Sequence, residues 1–185
     1  EMCIRDRSHD KKIRSFSSDE LNAKKSNSKC VEAILVSLGI ENISFDQIYN
    51  LSKDVVVPSR TEQSYNSKGV LIIDDTYNAN PDSFKEAFRV LDSTDKENKI
   101  CVIGDMKELG TDFQQEMKKI IDEACERFDY VFLFNSKFEL SKENVVKINI
   151  ANAEEKIGSL LSKNTAILFK ASRSVKIEDC MNIFK

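Results

Sequence analysis

Four apolar runs restrict this chain more than anything else in it: GVLIIDD (69–75), KICVIGD (99–105), YVFLF (130–134) and TAILFKA (165–171). Each reads as a buried strand, and the stretches between them carry helical spacing. Asn80-Pro81 supplies a cap followed by proline at the first helical position, opening PDSFKEAFRVLDS. In TDFQQEMKKIIDEACERF (111–128), Phe113, Met117, Ile120, Ile121, Ala124 and Phe128 share one face, and Thr111 and Gln114 have capping-box spacing. A short strand near VVKINI, a helix over ANAEEKIGSLL and a closing helix from about Ser174 complete the series. Apolar strands alternating with amphipathic helices predict an α/β fold: a doubly wound, Rossmann-like, mainly parallel sheet covered on both faces.

Upstream the pattern is helical only. SNSKCVEAILVSLG (26–39) places Cys30, Val31, Ile34, Leu35 and Leu38 at helical spacing, with Gly39 as C-cap. Ser44 reads as the N-cap of a second short helix, FDQIYNLSK, before VVVPSR brings an extended segment. The expected organisation is therefore a small helical piece over 18–57, a linker at Pro58 to Arg60, and an α/β domain over 61–185. Residues 1–17 are expected to be an artefact or a disordered terminus. EMCIRDR has no signal-peptide core, and MCIRDR back-translates to a string similar to a transposon-end sequencing adapter, so residues 1–7, Cys3 included, stay outside the fold argument.

The totals remove several functional classes. A length of 185 residues, 41% hydrophobic and 32% charged, suits one full soluble domain with part of another. No run approaches the roughly 18 to 20 apolar residues of a membrane span. A net charge of -3 without a basic stripe speaks against nucleic acid as a partner. With His9 as the only histidine, no histidine triad or multi-histidine metal site can be built. The five cysteines are widely spaced, lack a C-x-x-C pair, and read as reduced thiols of a cytoplasmic protein.

In open α/β sheets ligands bind beyond the carboxyl ends of the strands, so the residues after each apolar run carry the search for chemistry. DDTYNANP offers an aspartate for ribose hydroxyls, the flat ring of Tyr77 for a base, and the amides of Asn78 and Asn80. Capping alone also accounts for Asn80, and strand termination for Asp74. GDMKELG contributes Asp105 and Glu108, as a ligand loop or as an ordinary connection. KASRS sets Lys170 and Arg173 at the same edge, where cations hold carboxylates or phosphates. Neither G-x-x-x-x-G-K-[ST] nor G-x-G-x-x-G occurs, so any phosphate-binding loop for ATP lies outside these residues.

IIDDTYNANPDSFKEAFRVL, VIGDMKELG and LFKASRSVKIE resemble, in order, three segments of the carboxy-terminal domain of the Mur ligases, the last two matching V-L-G-D-M-x-E-L-G and V-K-G-S-R-x-M-x-M-E. The first loop has no histidine, unlike the D-Y-A-H-x-P or D-G-A-H-N-P strings of single-amino-acid ligases and folylpolyglutamate synthase, which favours the dipeptide-adding branch. The resemblance implies that Asp75, Tyr77 and Asn78, with Asn80 beside them, contact ATP, and that Arg60 falls on the family's interdomain arginine, with Ser59 in place of glycine. It implies substrate contacts at Asp105, Glu108, Lys170, Ser172 and Arg173. Departures are AKKSN in place of G-R-H-N ahead of the first helix, and Ala171 where the third loop has glycine.

The implied chemistry is ATP-dependent amide formation through an acyl phosphate, joining D-alanyl-D-alanine to UDP-N-acetylmuramoyl-tripeptide. On this resemblance residues 18–57 are the helical end of the central ATPase domain. Catalytic and metal-binding residues are expected in none of this chain; the Mg2+ sites belong to that central domain, which with the amino-terminal domain is missing here. The fragment is expected to be inactive alone. Alternatives are a non-catalytic α/β nucleotide-binding or regulatory domain, or another Mur or folylpolyglutamate-type ligase.

Overall fold

The computed structural model describes residues 23–53, 59–107, 109–139, 142 and 144–185. His9, Cys3, Glu108 and most of VVVPSR therefore lie outside the described residues. The chain divides into two compact units, one ending at Val56 and the other beginning at Val57.

The described residues of the first unit form a helical pair, α1 (Ala23–Ser37) and α2 (Phe45–Lys53). Gly39 ends α1 with a φ of 80°. Its N–H donates to the Val36 carbonyl and that of Ile40 to Leu35, the double closure that lets glycine satisfy terminal carbonyls. Ser44 caps α2 reciprocally: Gln47 Oε1 accepts from the Ser44 N–H at 2.8 Å, and the Gln47 N–H donates to Ser44 Oγ at 3.4 Å. Glu32 of α1 accepts from the Phe45 N–H at 2.8 Å, tying the helices together. Val31 and Ile34 on α1, and Leu38 just beyond it, nonetheless remain exposed.

The second unit is a six-stranded sheet in the order β1-β2-β6-β3-β4-β5. Its strands are β1 (Glu62–Tyr65), β2 (Leu71–Asp75), β3 (Asn98–Ile103), β4 (Tyr130–Phe134), β5 (Val145–Ile148) and β6 (Thr165–Lys170). All pairings are parallel except β1 against β2, an antiparallel edge strand that the alternation of the sequence does not announce.

Alternate residues of each central strand feed two cores. Ile73, Cys101, Leu133 and Leu168 pack with Phe84, Phe88 and Leu91 of α3 (Pro81–Asp92) and Met117, Ile120 and Ala124 of α4 (Phe113–Arg127). Ile72, Val102, Phe134 and Phe169 face the other way, against Ala153 and Ile157 of α5 (Ala153–Ile157) and Ile177, Cys180 and Met181 of α6 (Ile177–Met181). This two-sided burial is why the strands read as unbroken apolar runs. Cys101 and Cys180 are buried free thiols, while Cys30 and Cys125 are partly exposed.

Asn80 caps α3 as its sequence predicts, with the Ser83 N–H donating to its side chain at 2.8 Å and Pro81 at the first helical position. The capping box expected at Thr111 and Gln114 does not form. A 3-10 turn over Gly110–Asp112 precedes α4, which has no side-chain cap bond, and Gln114 instead accepts from the Glu139 N–H at 3.3 Å.

Candidate functional site

The order β2-β6-β3 makes neighbours of the three polar strand ends that stand far apart in sequence. Register pairs Asp75 with Lys170 across β2 and β6, and Lys170 with Ile103 across β6 and β3. The loops DDTYNANP, KASRS and GDMKELG thus emerge side by side at one edge, where ligands bind in doubly wound sheets.

On the β2 side, Lys170 Nζ lies 2.5 Å from Asp75 Oδ2 and donates to the Asn78 carbonyl at 3.0 Å. It also lies 5.4 Å from the centre of the Phe84 ring. Burial is the largest influence on both ionisable groups, pushing the Asp75 carboxyl above its ordinary range and the Lys170 ammonium below its own, while their mutual attraction opposes each shift. The other Asp75 oxygen accepts from the Thr61 N–H at 3.1 Å. Next to it the Tyr77 N–H donates to the Ser59 carbonyl at 3.0 Å, and the Arg60 guanidinium stacks 4.7 Å from the Tyr77 ring centre. Tyr77 remains 48% exposed, so it still has surface to offer a ligand. Asn78 joins this cluster through its backbone, whereas the side chain of Asn80 is engaged in the helix cap.

On the β3 side, Asp105 is buried and turned inward. Ser136 Oγ donates to its Oδ1 at 2.5 Å, and the Lys137 N–H reaches both oxygens at 3.2 and 3.1 Å. The Ser172 N–H donates to the Asp105 carbonyl at 3.1 Å, and Ser172 Oγ accepts from the Lys107 N–H at 2.9 Å. Asp105 and Ser172 therefore tie together the loops after β3, β4 and β6. Gly104 lets those loops approach: a Cβ there would lie 2.6 Å from the Ala171 Cβ and 2.9 Å from Val175 Cγ1. Arg173 stands out from this tied base, with its side chain 66% exposed and 3.7 Å from Glu178.

Ten residues were expected at the site. Arg60, Asp75, Tyr77, Asn78 and Lys170 come together at the β2 and β6 ends; Asp105 and Ser172 meet at the β3 and β6 ends, with Arg173 adjacent. Asn80 sits at the start of α3, and Glu108 lies outside the described residues. Sequence reasoning missed Thr61, which acts through its backbone, and Ser136, which belongs to no motif. Among the described residues no group of three or more His, Cys, Asp or Glu is arranged to hold a metal ion. No described helix is long and apolar enough to cross a membrane.

Residues 59–180 match the family described as Mur ligase, glutamate ligase domain. A UDP-N-acetylmuramoyl-tripeptide--D-alanyl-D-alanine ligase from Bacillus subtilis is 32% identical over 148 residues, covering 72% of this chain and 32% of that protein. The crystal structure of a MurF ligase from Thermotoga maritima in complex with ADP superposes with a TM-score of 0.66 at 30% identity, covering 85% of this chain and 36% of that one. A folylpolyglutamate synthase from Mycobacterium tuberculosis, complexed with ADP and AMPPCP, shares the fold at a TM-score of 0.56 and 16% identity. The chain spans about a third of the length of these ligases.

Proposed function

The chain belongs to the Mur ligase family, and from that premise we propose that it forms the carboxy-terminal part of an ATP-dependent ligase joining D-alanyl-D-alanine to UDP-N-acetylmuramoyl-tripeptide. Such a ligase works in cytoplasmic peptidoglycan-precursor synthesis. The observation that carries this reading is the order β2-β6-β3, which gathers three separate polar loops onto one rim. The dipeptide-adding relative from Bacillus subtilis and the ADP-bound Thermotoga maritima ligase support it.

Along that rim the chemistry divides. Arg60 and Tyr77 form a flat face, backed by a cation, that suits an adenine. Asp75 has acceptor capacity beyond its two contacts, suited to a ribose hydroxyl. Arg173 is exposed and suits the terminal carboxylate of a dipeptide, which its planar guanidinium can bind through two hydrogen bonds.

A free carboxylate is a poor electrophile toward an amine. Transfer of the terminal phosphoryl group of ATP to the tripeptide carboxylate gives an acyl phosphate and ADP; attack by the dipeptide amine then forms the amide and expels phosphate. Magnesium offsets the phosphate charge in this chemistry, and we assign its ligands to parts of the ligase outside this chain. The task left to these residues is to hold nucleotide and dipeptide and to exclude water as the cleft closes.

The test is turnover by the complete ligase. Phosphate release should require both D-alanyl-D-alanine and the UDP-linked tripeptide, and Arg173→Ala should raise the dipeptide KM by about tenfold or more. Release that proceeds with a single amino acid, or a variant with an unaltered dipeptide KM, would overturn the assignment. The 185-residue chain by itself should hydrolyse no ATP.

A further inference from the structure

Lys170 ends β6 between the two halves of the rim, yet its side-chain contacts all point one way. Its side chain is 1% exposed. An ammonium has three N–H donors: one meets Asp75 Oδ2 at 2.5 Å, one the Asn78 carbonyl at 3.0 Å, and the Phe84 ring lies 5.4 Å away. Nothing in that arrangement is aimed at a ligand on the Arg173 side.

The contacts continue beyond Asp75. Its second oxygen holds the Thr61 N–H at 3.1 Å. Thr61 has a φ of 49° and Ser59 a φ of 59°, left-handed conformations that side-chain-bearing residues adopt at a cost, above all a β-branched one. Such a backbone persists only where its surroundings over-determine it. Here the two fixings are the Asp75 carboxylate on Thr61 and the Tyr77 N–H on the Ser59 carbonyl. Arg60 lies between these two residues, stacked on Tyr77.

We propose that Lys170 is a positioning residue for the nucleotide half of the rim: through Asp75, Thr61 and the Asn78 carbonyl it fixes the Arg60–Tyr77 face, and it does not touch the carboxylate-bearing substrate. This places Lys170 differently from the substrate role implied by the resemblance. The proposal rests on the ligase reading for the identity of the ligand, but not for the geometry.

The test has two arms. In the 185-residue chain, Lys170→Met should speed amide hydrogen exchange at Thr61 and Tyr77 by about tenfold or more and leave the amides of β3 and β4 as they are. In the complete ligase the same variant should raise the ATP KM by about tenfold, with the dipeptide KM within about twofold of the wild type. Lys170→Arg, which keeps the charge, should restore part of the ATP KM. Should Lys170→Met fail to fold, the neutral pair Asp75→Asn/Lys170→Met takes its place and should show the same exchange and KM pattern. Unchanged exchange at Thr61 and Tyr77 would overturn the proposal, as would a raised dipeptide KM with a normal ATP KM. A wild-type protein without ATP-dependent turnover would sink the ligase reading while leaving the exchange arm decisive for the geometry.

Discussion

Asp75 and Asp105 lie on either side of β6 at the same edge of the sheet, and both carboxylates are buried, but they are held by different means. Asp75 is matched to one buried ammonium. Asp105 rests mainly on a hydroxyl and a backbone N–H, with the Lys107 ammonium at 3.5 Å on its more exposed side. Two full charges removed from water depend chiefly on each other, because either one without its partner is an uncompensated charge in a low-dielectric site. A carboxylate held by several dipoles can lose one donor and keep the rest. The first arrangement suits a support that must hold a strained segment in a single position; the second suits a joint uniting three loops.

The largest expected effect breaks the first arrangement. Asp75→Asn strands the Lys170 ammonium and should cost about 3–5 kcal/mol in urea unfolding of this chain. Adding Lys170→Met should recover most of that loss. If the double variant is no more stable than the single one, the ion pair is not what makes Asp75 costly to replace.

A smaller loss is expected at the joint. Ser136→Ala removes one charge-assisted hydrogen bond and the acceptor of the Phe138 N–H but leaves the Lys137 N–H on Asp105, so unfolding should show a cost of about 1.5–3 kcal/mol. A loss as large as that of Asp75→Asn would erase the contrast between the two carboxylates.

The smallest effect is a dependence on pH. Burial raises Asp75 above its ordinary 3.8 and lowers Lys170 below its ordinary 10.5. The Asp75 contribution to stability is then fully present below pH 3.8 and lost as pH rises through the raised value. The Lys170 contribution is present above pH 10.5 and lost as pH falls through the lowered value. Asp75→Asn/Lys170→Met should remove both slopes. Superimposable stability curves for wild type and double variant, measured by denaturant titration across pH, would count against this account.

Much of the fold is legible because burial on both faces writes itself into the strands as uninterrupted apolar runs, and because Asn80-Pro81 and Ser44 state their helix starts locally. β1 is not legible in this way: Glu62, Gln63, Ser64 and Tyr65 are all exposed, and the strand exists by pairing with the edge of β2, a tertiary cause without a local pattern. The start of α4 is displaced because Gln114 finds a partner at Glu139 instead of at its own helix terminus.

At the site, strand-end position was enough to single out Tyr77 and Arg173. It did not reveal which polar groups turn inward. Lys170 and Asp105 look like ligand contacts in sequence; in the fold the Lys170 ammonium meets Asp75 and the Asn78 carbonyl, and the Asp105 carboxylate meets Ser136 and the Lys137 N–H, partners that arrive from other loops. The resemblance to the Mur ligases carried the rest of the reading, since loop chemistry alone left the substrate open.

The tight fit at Gly104 has one more consequence. The space where the β3 and β6 ends meet is filled by the Ala171 methyl group and the Val175 side chain, leaving no volume for another carbon at position 104. A side chain introduced at position 104 would fit only with bulk given up at Ala171 or Val175. The separation of the two loops is thus a shared property of three residues, two of which, Ala171 and Val175, flank Arg173 in the chain.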